Sequence, residues 1–179
     1  MAAKLPRSTG LLDWDSVDIL RKDLLLAWEK GRKVFLCGNG GSAANANHLA
    51  NDLLCGISPE KEKGLHVHSL ASNVSVSTCL ANDTGYENIF SKQLPSLAKR
   101  EDLLIALSGS GNSSNILNAI TKAKEIGLKT HSIVGFDGGK CREISDNCIH
   151  LPLHDMQVSE DFQMIIGHIL MKYLKSVKN

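Results

Sequence analysis

Two glycine- and serine-rich segments constrain this chain more than any other feature, because each follows a short apolar run and opens a helical pattern. The first is Gly38-Asn39-Gly40-Gly41-Ser42, directly after residues 33–37 (KVFLC). The second is Ser108-Gly109-Ser110-Gly111-Asn112-Ser113-Ser114, directly after residues 102–107 (DLLIAL). Strand, glycine turn and helix form the unit from which parallel sheets are wound. The rest of the chain repeats that alternation. Helical spacing covers 13–29, ending at Gly31, then 42–54, 73–80, 87–97, 116–126 (closed by Gly127), a short stretch at 141–144, and 158–177. Strand runs are expected at 33–37, 65–70, 102–107, 129–134 and 148–153, with a polar loop at 56–64. The expectation is an α/β fold: a doubly wound, three-layer, five-stranded parallel sheet flanked by helices. Residues 1–12 read as an N-terminal arm and 13–179 as a single domain, a length that fits one core.

In such sheets ligands bind beyond the C-terminal ends of the strands, where both loops fall. A helix N-terminus offers free N–H groups and partial positive charge, glycines allow an anion to approach closely, and serine hydroxyls add donors. The second loop therefore reads as a phosphate cradle. The competing reading is a pair of tight turns with serine N-caps. The loop has no lysine, and the G-x-x-x-x-G-K-[ST] pattern of nucleoside triphosphate sites is absent. Gly38-x-Gly40-x-x-Ala43 meets a loose dinucleotide pattern. The acid that pattern needs some 20 residues on is replaced by His68-Ser69-Leu70-Ala71-Ser72, which argues against a nicotinamide cofactor.

Four polar residues on helices stand out. His48 and Asp52 are four apart on one helical face, a spacing that suits a metal, an acid/base pair or a simple surface hydrogen bond. Glu160 and His168 are eight apart on the last helix, about 12 Å of rise and roughly 80° of turn. One straight helix would struggle to bring both to one ion, unless different subunits supply them. His66, His68, His131, His150 and His154 read as structural or surface residues.

Composition closes off other classes. The formal net charge is +1 and aromatic residues make up 4%, leaving neither a basic field nor stacking platforms for nucleic acid. No apolar run approaches the roughly 20 residues of a membrane span, and no signal peptide is expected. Five cysteines, odd in number and without C-x-x-C, read as buried free thiols in a reducing cytoplasm.

The segments GNGGSAANANHLANDL, LANDTGYENIF, LSGSGNSSNIL, GFDGGK and EDFQMIIGHIL, in this order, resemble the sugar isomerase (SIS) domain family and, within it, the phosphoheptose isomerases. The resemblance runs from about Asp13 to Leu174. It implies a flavodoxin-like or Rossmann-like SIS fold, and a homotetramer that shares active sites between subunits. It implies that Ser108, Gly109, Ser110, Asn112 and Ser113 hold a sugar phosphate, with Asn39, Gly40, Gly41, Ser42 and Asp83 lining the same pocket. It also implies zinc on His48, Asp52, Glu160 and His168. Two of those depart from the family pattern: Asp52 stands where Glu is usual, and Glu160 where Gln is usual. A basic residue often found after the first carboxylate is missing among Leu53, Leu54, Cys55 and Gly56. Two carboxylates and two imidazoles remain sound zinc ligands.

The implied reaction interconverts sedoheptulose 7-phosphate and D-glycero-D-manno-heptose 7-phosphate through an enediol, for bacterial lipopolysaccharide or capsule heptose. Asp52 is expected as the base, His168 as the acid and Glu160 as the competing base. The alternatives are another sugar-phosphate isomerase, or a non-catalytic relative of the kind that associates with a replication initiator. Such a relative shares the SAANA segment, here Ser42 to Ala46.

Overall fold

The structure is a computed structural model and describes residues 12–57 and 63–178. The expected arm falls outside the described residues except for Leu12, as does much of the loop expected at 56–64. The elements are α1 (Trp14–Lys30), β1 (Lys33–Cys37), α2 (Gly41–Asn51), β2 (His66–Ser69), α3 (Val74–Thr84), α4 (Leu94–Leu97), β3 (Leu103–Ser108), α5 (Ser114–Ile126), β4 (Lys129–Val134), α6 (Gly139–Ile144), β5 (Asn147–His150) and α7 (Met156–Lys178). All strand pairings are parallel and the order is β2-β1-β3-β4-β5. That is the expected doubly wound fold. The direction of winding reverses between β1 and β3, the two strands that carry the glycine loops.

Strand alternation divides the core. Val34 and Leu36 of β1, with Leu103, Ile105 and Leu107 of β3, face a layer built from α1, α2 and α7. Phe35 and Cys37, with Leu104 and Ala106, face the layer that contains α4, α5 and α6. Helix ends follow their sequence signals. The Asp13 carboxylate accepts from the N–H groups of Asp15 and Ser16, and Gly31 closes α1 at φ 63°.

Several boundaries differ from the sequence expectation, two of them for a backbone reason. The fifth strand stops at His150 because Pro152 has no N–H for the ladder. The helix expected over 87–97 becomes a 3₁₀ turn at Tyr86–Asn88 and the short α4, since Pro95 is tolerated only in a helix's first turn. The helix expected over 42–54 changes to a π-turn at Asp52–Gly56.

Of the five cysteines, all are free. Cys37 and Cys141 are buried, whereas Cys55 and Cys79 are exposed, so burial holds for only part of the set. Burial pushes the Cys141 thiol up to about 12, which keeps it protonated at neutral pH.

A polar cluster ties α1 to the end of the sheet opposite the loops. His131 is fully buried, with Nε2 3.0 Å from Asp23 Oδ2, and Lys129 Nζ lies 2.8 Å from the same oxygen. Asn147 Nδ2 donates to the Ser16 carbonyl at 2.9 Å and meets His131 Nδ1 at 3.1 Å. Burial alone would raise the Asp23 carboxyl, but His131 and Lys129 overcome it and hold it below the ordinary value. A carboxyl lowered in the folded state adds stability that is present above its unfolded pKa and lost as pH falls through the folded one. Asp23→Asn should therefore cost about 1–3 kcal/mol at pH 7, and the gap to wild type should close below about pH 4. Urea denaturation at the two pH values checks it; a gap independent of pH would remove the carboxylate from the account.

Candidate active site

At the switch point the two loops face each other. They line a cavity of about 90 Å³ with Asn39, Ser42, Leu107, Ser108, Gly109, Ser110, Ser113, Met156 and Glu160. Whole small ligands usually occupy about 300 Å³ or more, so this cavity suits one functional group of a longer ligand.

The second loop is held by its backbone. Gly111 has φ 68°, and a Cβ on it would collide with the Gly138 carbonyl, so only glycine fits. Residues 135–141, which contain the GFDGGK segment, brace it from behind. Gly135 N–H donates to the Gly109 carbonyl and Cys141 N–H to the Gly111 carbonyl, both at 2.9 Å. Asn112 Oδ1 accepts from Lys140 N–H at 3.0 Å, so the Asn112 side chain serves this brace and not the cavity.

The serine hydroxyls are arranged for an acceptor. Ser108 Oγ accepts from Gly111 N–H at 3.1 Å and Ser110 Oγ from Asn112 N–H at 3.3 Å. Each spends a lone pair on the backbone and keeps its proton for something else. Ser113 occupies the N-cap position of α5 but makes no capping bond. The simple capped turn is not what this loop forms. Among the described residues lining the cavity there is no Lys or Arg, so an anion would be met by neutral donors and the N-terminus of α5, with the Glu160 carboxylate opposing it.

The first loop is tied to the second and to α7 through Asn39 and Ser42, by partners that are not among the expected site residues. Asn39 and the buried Asn115 exchange two amide hydrogen bonds, both 2.8 Å, and Tyr86 Oη donates to Asn39 Oδ1 at 2.9 Å. Gln163, also buried, reaches Ser42 from α7. No local motif marks Asn115 or Gln163, because their partners are 76 and 121 residues away.

A second constellation lies further along α2 and α7. His48 Nε2 is 3.3 Å from Asp52 Oδ2 and 3.3 Å from His168 Nε2, and His168 Nε2 is 3.4 Å from the same Asp52 oxygen. Zinc takes nitrogen and oxygen ligands at about 2.0–2.1 Å, and ligands at that distance on a tetrahedron stand about 3.3 Å apart. These three donors therefore fit a small divalent ion and leave a fourth position open. The helices approach closely here because Gly167 packs against Leu49, where a Cβ would collide. Asp52 is also the first residue of the π-turn; such turns recur at functional sites.

Glu160 does not join this group. It lines the loop cavity, and its carboxylate lies against Gly41, where a Cβ would sit. A straight helix keeps positions 160 and 168 apart, so within one protomer three of the four ligands expected from the sequence come together. Asp83 is exposed on α3, bonded to Asn82 and Cys79, and does not line the cavity. Those contacts, Asn82 first, lower its carboxyl below the usual range. Gly40 shapes the first loop at φ 54°.

A larger cavity of about 610 Å³ lies under α3, away from both loops, lined by residues such as His68, Ser72, Cys79 and Gln93. α3 has no buried residue, and Val74 is 71% exposed. No helix among the described residues is long and apolar enough to cross a membrane.

Residues 13–135 match the family model of the SIS domain. The chain is 42% identical over 147 residues to a phosphoheptose isomerase of Helicobacter pylori, covering 82% of this chain and 76% of that one. It is 39% identical over 142 residues to the one from Aliarcobacter butzleri, covering 79% and 75%. The solved phosphoheptose isomerase of Neisseria gonorrhoeae superposes with a TM-score of 0.83 at 27% identity, over 98% of this chain and 96% of that one.

Proposed function

The chain belongs to the SIS domain family and, within it, to the phosphoheptose isomerases, and from that premise we propose that it interconverts sedoheptulose 7-phosphate and D-glycero-D-manno-heptose 7-phosphate. One observation carries the reading beyond the relatives' names. The loop cavity and the His48–Asp52–His168 group lie along the same pair of helices, six residues apart on α2 from Ser42 to His48, or about 9 Å. An extended heptose 7-phosphate spans about 9 Å from phosphorus to C2, given bonds near 1.5 Å. With the phosphate in the serine cradle, C1 and C2 extend towards His48, whose ring lies beside Asp52 and His168.

The chemistry moves one proton between two carbons. Asp52 turns Oδ2 towards both imidazoles. Its Oδ1, in weak contact with Asn51 at 3.5 Å, is left to take the proton from C1 and return it to C2. His168 exchanges the proton of the neighbouring oxygen, so the enediol forms without free charge. Glu160, at the cradle's rim, accepts from sugar hydroxyls near the phosphate and is not the base. His48, Asp52 and His168 would hold zinc, which when bound would supply Lewis-acid polarisation of the substrate oxygens in place of the proton from His168. The phosphate contributes remote binding energy that fixes the reacting end.

The assembly we propose is a homotetramer with shared active sites, in the cytoplasm and serving surface-polysaccharide heptose synthesis. The exposed α3, with Val74 uncovered and Val76 and Leu80 only half-buried, supports a covering copy. The test follows sedoheptulose 7-phosphate by NMR with the pure protein, with zinc and with chelator. Conversion to an aldoheptose 7-phosphate is expected, lost with chelator and restored by zinc. Binding without conversion would overturn the isomerase reading in favour of a sensing role.

A further inference from the structure

We propose that Gln163 is a positioning residue that commits the Ser42 hydroxyl to donate its proton to the bound anion. The inference deepens the phosphate reading of the loop cavity and rests on it. Its root is a backbone carbonyl. Asn45 Nδ2 lies 2.9 Å from the Glu160 carbonyl oxygen, which can only accept, so that atom of Asn45 must be the donor nitrogen. The same nitrogen lies 3.0 Å from the Gln163 side chain, which must therefore present its oxygen, Oε1. That fixes the other end of the Gln163 amide as Nε2, 3.0 Å from Ser42 Oγ. Ser42 Oγ is obliged to accept.

Both residues are sealed from solvent, Gln163 at 1% and Ser42 at 3% exposure, so water cannot reverse the arrangement. With a lone pair occupied from behind, the Ser42 proton is directed away from Gln163. Ser42 lines the cavity opposite Ser108 and Ser110, whose hydroxyls also accept N–H groups from behind. The three hydroxyls thus meet the cavity as donors, which favours groups offering only acceptor oxygens, for which a bound phosphate competes with the Glu160 carboxylate on the same lining. One end of this chain of amides lies on α7 and the other at the start of α2. Helix packing, through Gln163, thereby sets the hydrogen-bond polarity of the cradle.

The test is a double-mutant cycle read as the dissociation constant for inorganic phosphate and the KM for sedoheptulose 7-phosphate. Ser42→Ala removes the donor and should weaken both roughly tenfold. Gln163→Met keeps the volume but frees the hydroxyl to turn, and should weaken both roughly three- to tenfold. In the Ser42→Ala background Gln163→Met should add nothing. A loss that persists undiminished in that background would mean that Gln163 merely holds the helices, and would overturn the proposal. Should the methionine variant not fold, Gln163→Glu serves: its carboxylate would draw the Ser42 proton out of the cavity, and wild-type phosphate affinity in that variant overturns the proposal. If the wild-type protein itself bound no phosphate, the phosphate reading would fail and the inference with it. Binding that is equal in all variants sinks the inference alone.

Discussion

Asp52→Asn is expected to lower kcat by roughly a thousandfold or more while leaving the oligomer and the phosphate cradle intact. The magnitude follows from the role. A positioned general base contributes about 10²–10⁴-fold, and an amide of the same shape cannot take a proton from carbon. The location explains why the rest should survive. Asp52 is 15% exposed and makes its contacts with His48 and His168, not with core side chains. Ser42 lies ten residues earlier on the same helical run, about 15 Å away. The dissociation constant for inorganic phosphate should therefore stay within about twofold of wild type. Steady-state kinetics and calorimetry on one preparation check both halves. Activity within about twofold of wild type would remove Asp52 from the chemistry. Loss of phosphate affinity alongside turnover would mean that the two groups are not independent.

The difference between what the sequence revealed and what it hid is one of range. Local chemistry is written locally: glycines after apolar runs mark where strands turn into helices, and Gly31 and Gly127 mark where helices stop. Pairing order needs more than that, yet five strands with helical connections leave few right-handed solutions, and the two glycine loops fall at the switch point. Pro152 and Pro95 show the opposite failure. Their neighbours' hydropathy argued for strand and helix, and a missing N–H or a ring overruled it. The π-turn at Asp52 has no local signature in Asp52-Leu53-Leu54-Cys55-Gly56. It forms where α2 runs beside α7, which the chain meets a hundred residues later. Asn115 and Gln163 were invisible for the same reason: each is an ordinary helical amide until its partner arrives from another loop. The separation of Glu160 from His168 could be read in advance, since helical rise and rotation alone keep positions eight apart from sharing an ion.

Removing three of the four hydroxyls of the second loop together, Ser108→Ala with Ser110→Ala and Ser113→Ala, is expected to lower kcat/KM for sedoheptulose 7-phosphate by at least about a thousandfold. Each hydrogen bond to a charged group contributes about 1.5–3 kcal/mol, or roughly ten- to a hundredfold, and Ser108 and Ser110 are held so that their protons remain available. The effects of neighbouring donors do not add fully, which is why the product of three such factors sets an upper bound and not the estimate. Part of the loss should appear in kcat, because phosphate binding also fixes the reacting carbons, at the far end of the sugar, against Asp52 and His168. The metal-binding group should not notice. His48, Asp52 and His168 share no side-chain hydrogen bond with the loop, so zinc affinity of the triple variant should match wild type. Asp52→Asn and the serine variant thus dissect the site in opposite directions, one sparing phosphate and losing turnover, the other sparing zinc and losing substrate. A triple variant that kept kcat/KM within about threefold would place the phosphate elsewhere. The natural candidate would then be the larger cavity under α3, where Lys92 supplies the cation the loops lack.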